Sequence, residues 1–519
     1  MTTGLQEGWT TIRVGDFFDS WGGMTPSTSN ASYWGGKVPW VSSKDIKAWR
    51  IAGGEEFITR KALQETRLRL CPVGSVLVVV RSGILAHTLP IAVADAPVSI
   101  NQDLKAFYCP DSDMNKWLAL SLRSLAPEIL SNNRKDGTTV QSVRYEELCD
   151  LIIQVAPSHE QRRITARLEN LLGKVESTRE RLSRVPATLK RFRQAVLAAA
   201  YSGRLTKDWR EQHSNHESAT ELVSRVLAER VREYEDHRRH AQARGGRLPK
   251  RPDNLQRTDF VLPEALTLHE IPEAWSWVSV RDVVLFAQYG TSVKADSTPN
   301  QGVPILRMGN IQDGQIDLTS LKYITRESED ISEFTIAKGD ILFNRTNSPE
   351  LVGKTAIYDS DLEAVFASYL IRLRCDQRVA HSGYLSSWIN SPWGKWWART
   401  VRTDGVSQSN INATTLQTMP LPLPPLHEQE EIVQRINALL ALSATIEESV
   451  SAAHKRTDKL TQSILAKAFR GELVPTEAEL ARREGRQYEP ASVLLERIRK
   501  DCQDRETSKQ SRKAKVIAI

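Results

Sequence analysis

A chain of 519 residues with 40% apolar side chains has material for roughly three to four domains. The longest apolar run, Val76 to Val80, is far too short to span a bilayer, and MTTGLQEGW lacks the basic and apolar regions of a secretory signal, so a soluble, cytoplasmic protein is expected. Five scattered cysteines without a CxxC pair argue against a zinc site or a disulfide framework, while a net charge of +7 and a pI near 9 are compatible with a nucleic-acid partner.

Residues 1–156 read as a mixed α/β region. A glycine- and proline-rich opening, GGMTPSTSNASYWGGKVPWVSSKDI (22–46), leads to a strand at SVLVVV (75–80), a helix near 115–125 and the loop NRKDGTTVQSVRYEEL (133–148). A long helix is expected over 157–206. Next comes a basic helical linker, 207–265, with a short helix at 219–234. Six of the fourteen residues from Arg238 to Arg251 are Arg or Lys, and a solvated connector is the default reading there.

Residues 266–424 repeat the plan of the first region. EAW (273–275) matches EGW (7–9), GVPILRMGNI (302–311) matches KVPWVSSKDI (37–46), and KGDILFNR (338–345) matches VGSVLVVVR (73–81). A second long helix is expected over 425–475 and a helical tail over 476–519, where PASVLLERI (490–498) resembles SATELVSRV (218–226).

The repeat is sharpest at the helices. PSHEQRRITARLENLLGKV (157–175) and PLHEQEEIVQRINALLALS (425–443) are offset by 427 − 159 = 268, without a gap as far as SGRL and RGEL. Apolar residues recur in steps of three and four. In the first helix they are Ile164, Leu168, Leu171, Val175, Leu182, Val185, Leu189, Phe192 and Val196. In the second they are Ile432, Ile436, Leu439, Ile446, Val450, Ala453, Leu460 and Ile464. Such a seam predicts two helices that pack on each other. Ser158 with Gln161 forms a candidate capping box, Gly203 and Gly471 suit the left-handed residue that ends a helix, and Pro186 should kink or break the first.

Several strings imitate catalytic motifs. GKT (353–355) lacks the first P-loop glycine and lies between two strands. HEQ, at His159 and His427, lacks the second zinc-binding histidine, and its glutamate is explained by the positive end of the helix dipole. NSPW (390–393) has Ser391 where an adenine methyltransferase needs proline. PD (110–111) has no downstream acidic-x-Lys partner. Trp388, Trp393, Trp396 and Trp397 continue a helical stripe with Tyr384, Leu385 and Ile389 and read as core or interface.

PPLHEQEEIVQRI and GDILFNRTNSPELVGKTAI in the second half, with GGMTPSTSNASYWGGKVPW and PSHEQRRI in the first, give the chain a resemblance to the specificity (S) subunits of type I restriction–modification systems. Ser158 in place of the usual second proline, the weaker GSVLVVVRSG (74–83) and Pro186 are departures. The resemblance implies an α/β (α+β) chain with two similar target-recognition domains, each followed by a long helix, the two helices packed as an antiparallel coiled coil. Each domain would read one half of a split, asymmetric site in double-stranded DNA. The helices would space the halves and dock two methyltransferase (M) subunits.

By the same resemblance the chain is not an enzyme and holds no cofactor or metal. S-adenosylmethionine would belong to the M partners, which methylate adenine. ATP and Mg would belong to motor–nuclease restriction (R) subunits, present in two copies where they join. Candidate DNA contacts are polar or basic loop residues at matching places: Lys44, Arg81, Arg134, Lys135, Thr138 and Gln141 in the first domain. In the second they are Arg307, Asn310, Arg345, Thr346, Lys354, Ser407, Gln408 and Asn410. Arginine can bond guanine, and Gln or Asn adenine, in the major groove, while Lys and Thr more often hold phosphates. The rival readings are a single-chain methylase–nuclease, for which the motifs are missing, and a coiled-coil scaffold without DNA readout.

Overall fold

A computed structural model describes residues 4–132, 134–135, 141–213, 217–252, 254–296, 302–406 and 408–501. Two compact units emerge, one of residues 1–183 with 451–519 and the other of residues 184–450. Each is an α/β assembly and the two share one plan.

In the first unit, Thr10–Arg13 pairs antiparallel with Ile152–Val155, so the segment from 10 to 155 begins and ends on one two-stranded clasp. Between them lies a five-stranded sheet in the order Asp19–Gly22, Leu104–Tyr108, Val76–Val79, Ile91–Ala94 and Arg50–Ile51. Val76 to Val79 are all buried, as expected of a central strand covered on both faces. The helix Ser112–Asn132 buries Met114, Trp117, Leu118 and Leu122 in the same core. A smaller sheet joins Glu56–Ile58, Trp34–Val41 and Ser99–Ile100.

The second unit repeats this arrangement. Ser276–Ser279 pairs with Pro420–Leu423. The main sheet runs Val284–Tyr289, Leu370–Cys375, Ile341–Asn344 and Thr355–Ile357, and the smaller one Lys322–Thr325, Gly302–Leu306 and Val365–Phe366. In both small sheets the last pairing is parallel, at Trp40↔Ser99 and Ile305↔Val365. One element departs: where the first unit has a single 21-residue helix, the second has Ser382–Ile389 and Pro392–Val401. Ser391 caps the latter by accepting from Gly394 N, with Pro392 in the first turn. Trp388 and Trp397 of the stripe are buried, Trp393 stacks on Trp388, and Trp396 is exposed.

The long helices are Ser158–Tyr201 and Leu426–Phe469, 44 residues each. Within the first unit, Leu168 and Leu172 share a core with Leu465 and Ala468, and Arg179 pairs with Asp458. Within the second unit, Val196 and Ala200 share a core with Ile432 and Ile436, and Arg193 donates to Ser443 Oγ (2.9 Å) and Glu447 (2.7 Å). Ascending residues of one helix meet descending residues of the other, which is antiparallel pairing.

Of the kink or break expected at Pro186, the break does not occur, and the first helix is continuous through it: the missing N–H is one bond among many in a helix of this length. Ser158 lies inside the helix and does not cap it. Gln161 instead turns its amide back to the Ala156 carbonyl (2.7 Å). The seam is also narrower than the periodicity suggests, since Phe192, Ile446 and Leu460 are exposed while Leu172 and Leu465 are buried. Gly203 and Gly471 end the helices at φ +72 and +73, as anticipated, and Leu205 N and Glu472 N close the last turn on Ala199 O and Lys467 O. The helix expected at 219–234 extends over Ala219–Ala243, begun by a full Ser218–Glu221 capping box.

Candidate nucleic-acid interface

Each unit holds its sheet-bearing region to its long helix through one buried carboxylate. Glu160, in the first turn, accepts from Trp9 Nε1 (3.0 Å) and from the backbone N–H of Glu477 (2.8 Å). Glu428 accepts from Trp275 Nε1 (2.8 Å), from Thr206 Oγ1 (2.7 Å) and from the guanidinium of Arg210. Burial raises the Glu160 carboxyl above the ordinary glutamate range, against the lowering effect of its two donors. Burial also pushes Glu477 upward, but bonds from Arg163 and Arg486 bring it below that range. The HEQ strings are therefore anchors, in which Glu and Gln face inward. Gln429 holds the Val379 and Pro424 carbonyls and accepts from His381 N. Sequence reading assigned the glutamates to the helix dipole and missed the tryptophan partners, although EGW and EAW were the visible signal.

The segment that follows each long helix closes on the start of a sheet-bearing region in the same way. Ala219 N donates to Ala274 O (3.0 Å) and Ala491 N to Gly8 O (2.9 Å).

With the scaffold fixed, two chain segments stand in matching places in the two units. One is a turn after the middle strand of the small sheet. In the first unit Ser42 N donates to Asp45 Oδ2 (2.7 Å), leaving Lys44 exposed. In the second, Arg307 N donates to Asn310 Oδ1 (2.9 Å). Asn310 also donates to Asp317 O (2.9 Å) and is buried, so its amide is spent on holding the loop that carries Arg307. The same turn thus offers Ser42-Ser43-Lys44 in one unit and Arg307-Met308-Gly309 in the other.

The other segment is a three-stranded ribbon. It joins Arg134–Lys135, Gln141–Val143 and Arg81–Ser82 in the first unit, and Thr403–Asp404, Ser409–Asn410 and Thr346–Asn347 in the second. Ser142 pairs with Arg81 and Gln141 with Ser82, while Asn410 pairs with Thr346. The strands feeding the ribbons register Ile341–Asn344 with Val76–Val79, because Asn344 lies opposite Leu370 as Val79 lies opposite Leu104. Arg345 therefore corresponds to Val80, and Arg81 to Thr346, one residue away from the alignment that sequence alone proposes.

Four of the first unit's candidates, Arg81, Arg134, Lys135 and Gln141, share the ribbon, and Lys44 stands on the turn. Arg81 is well exposed, with Asp103 at 3.9 Å. In the second unit Thr346 and Asn410 share the ribbon, Arg345 precedes it and Gln408 is exposed beside it. The Arg345 guanidinium lies 4.5 Å from the Tyr289 ring centroid and donates to Ser368 O (3.4 Å). Lys354 reaches Gln312 Oε1 (3.3 Å). Thr138 and Ser407 lie outside the described residues. These groups can bond base edges and phosphates; among the described residues no helix is long and apolar enough to cross a membrane.

The repeated domain is one seen elsewhere. The Type I restriction modification DNA specificity domain matches this chain twice, over residues 6–187 and 272–452, and the chain belongs to that family. Similar proteins include the EcoDI specificity subunit of Escherichia coli, 31% identical over 359 residues (69% of each chain). The EcoBI specificity subunit of the same organism is 30% identical over 346 residues, 66% of this chain and 62% of that one, so the chain spans somewhat under two thirds of that relative's length. Among solved structures, the HsdS subunit from Thermoanaerobacter tengcongensis is 18% identical with a TM-score of 0.50, covering 91% of this chain and 99% of its own. A chain from a study of complex assembly and conformational transition of the type I R-M system reaches a TM-score of 0.57 at 18% identity, over 91% of this chain and all of that one. At such identity these two speak for the fold.

Proposed function

We propose that the chain is the DNA-recognition subunit of a type I restriction–modification complex and that each unit reads one half of a bipartite, asymmetric site. The observation that carries this is a shared scaffold with unlike contents: the same turn and ribbon hold Ser42, Lys44, Arg81 and Gln141 in one unit and Arg307, Arg345, Thr346 and Asn410 in the other. Two such readers on one chain suit two unlike half-sites. In this reading residues 1–156 and 266–424 are the recognition domains, and the helices set the spacing and dock two M subunits. The chain itself performs no chemistry and works in the cytoplasm. S-adenosylmethionine belongs to the M partners, and ATP and Mg to R subunits where present.

The test is domain exchange. Residues 266–424 are replaced by the equivalent domain of a relative, and methylated sites are mapped in a host that also supplies the M subunit. One half of the recognised sequence should change and the other stay. A change in both halves would overturn the modular reading, and binding of M without any sequence preference would favour a protein scaffold.

A further inference from the structure

The strand that leads into each ribbon keeps its register and its complete burial in both units, and at its last residue the two part company. Val79 and Asn344 hold the same place. Each donates its backbone N–H across the sheet, Val79 to Pro90 O (3.1 Å) and Asn344 to Lys354 O (2.8 Å), and each is wholly inaccessible. Valine needs no partner there. Asparagine brings a donor and an acceptor, and neither Nδ2 nor Oδ1 of Asn344 has a hydrogen-bonding partner within the protein. Burying both ends of an amide unpaired is costly, and the sister unit demonstrates that an apolar side chain fits the fold. The surroundings differ in the same sense. Where the first unit has Pro90 across the sheet, the second has Lys354, and Nε of the adjacent Arg345 and Oδ1 of Asn410 on the ribbon are unpartnered as well.

We propose that Asn344 is a specificity-determining residue of the second unit, its amide kept in reserve for a base edge that offers an acceptor beside a donor, as adenine does with N7 and N6. The inference rests on the reading of that unit as a DNA half-site reader. The amide reaches a base once its neighbours yield. Lys354 is held by one 3.3 Å bond to the exposed Gln312, and Arg345 by a 3.4 Å bond and a ring contact. The negative charge of DNA competes well for both cations. The first unit, with Val79 and Pro90, has no such reader at this position.

The experiment compares wild type, Asn344→Val and Asn344→Asp in complex with the M subunits. The probes are duplexes carrying the recognised site with every single base-pair change in either half, at fixed salt. Asn344→Val should unfold no earlier than wild type and lose about tenfold or more of its discrimination at one A·T position of the second half-site, with the first half-site read as before. Asn344→Asp, isosteric but lacking the donor, should weaken the same position and favour cytosine there, whose N4 amine it can accept. If Asn344→Val folds poorly, Asn344→Asp alone decides. Full discrimination retained in either folded variant, or an effect at a position that is not A·T, overturns the proposal. A wild-type complex indifferent to the second half-site would instead sink the half-site reading on which it rests.

Discussion

The two anchors and the two turn-and-ribbon ends of this molecule differ to unequal extents between the units, and the contrast separates what the fold holds constant from what it leaves free. At the anchors, Trp9–Glu160 and Trp275–Glu428 keep the same donor and acceptor, both buried. At the turn-and-ribbon ends, Lys44 takes the place of Gly309 across the repeat and Val79 that of Asn344, on backbones that still match in register. A buried carboxylate tolerates little change, because losing one partner strands the others away from water. An exposed turn tolerates almost any side chain so long as Asp45 or Asn310 still closes it.

The contrast is strongest where the anchors themselves differ. Glu428 holds an arginine as well as an indole, whereas the donors to Glu160 are an indole and a backbone N–H. Glu428→Ala should cost about 3–5 kcal/mol, the range for breaking a buried charge pair, and Glu160→Ala less. Denaturant unfolding followed by hydrogen exchange in each unit gives both values. Equal losses would mean that neutral donors weigh as much here as the Arg210 guanidinium.

A smaller difference should appear at the helix ends. Gly203 and Gly471 both have positive φ, so alanine costs about 1–2 kcal/mol at either. A Cβ at 203 would lie 2.4 Å from Cγ of Pro272, and one at 471 would lie 2.7 Å from Cγ of Gln6. The Gln6 side chain can swing aside and the proline ring cannot. Gly203→Ala should therefore be the more destabilising of the two by thermal unfolding, and the reverse order would show that Gln6 is held more firmly than its single bond to Arg470 O suggests.

Reading is expected to separate by unit. Arg345→Ala should cost about 1–3 kcal/mol of binding if it contacts a base bidentately, relaxing one position of the second half-site; Arg81→Ala should touch only the first. Binding to duplexes altered in one half at a time checks this. A uniform loss over all sequences, with a shallower salt dependence, would make either residue a phosphate contact.

Much of this architecture was legible in the residues. The offset of 268 exposed the repeat, and SGRL and RGEL located both helix ends to within a turn. The ribbons were not legible: NRKDGTTVQSVRYEEL reads as a loop, and its strand Gln141–Val143 is defined only by pairing with Arg81–Ser82, about sixty positions away. What escaped was set by partners distant in sequence. Glu160 meets Trp9 across 151 positions, and nothing in HEQ announces an indole. The register of Asn344 with Val79 was hidden because KGDILFNR is one residue shorter than VGSVLVVVR, and only the cross-strand pairs at Leu370 and Leu104 fix where the gap lies. Phe192, Ile446 and Leu460 fit the helical period and yet face outward, since periodicity records which residues share a face but not whether anything covers it.

The smallest expected difference is in the response to acid, and it has opposite sign in the two units. In the second, Asp376 is buried between Arg230 (2.9 Å) and Arg378 (2.8 Å). Burial raises its carboxyl, but the Arg378 and Arg230 contacts outweigh that and hold it below the ordinary aspartate range. A carboxyl depressed in the folded state binds fewer protons there than when unfolded. Its contribution is complete above the unfolded value and is lost as pH falls through the folded one. In the first unit Glu160 is shifted upward, so the folded state takes up its proton more readily than the unfolded chain, and this group favours folding more as pH falls from its folded value toward the ordinary glutamate range. Glu477, shifted downward beside it, opposes that gain. Acidification below the usual carboxylate range should therefore open the backbone around Asp376 and Val283 before that around Glu160 and Trp9, as hydrogen exchange at matched temperatures would record. Asp376→Asn should remove the acid sensitivity of the second unit while lowering its stability at neutral pH, because the two arginines lose their charge partner at every pH. If the variant kept the wild-type acid response, the sensitivity would belong to another carboxylate and the comparison drawn from these two sites would fail.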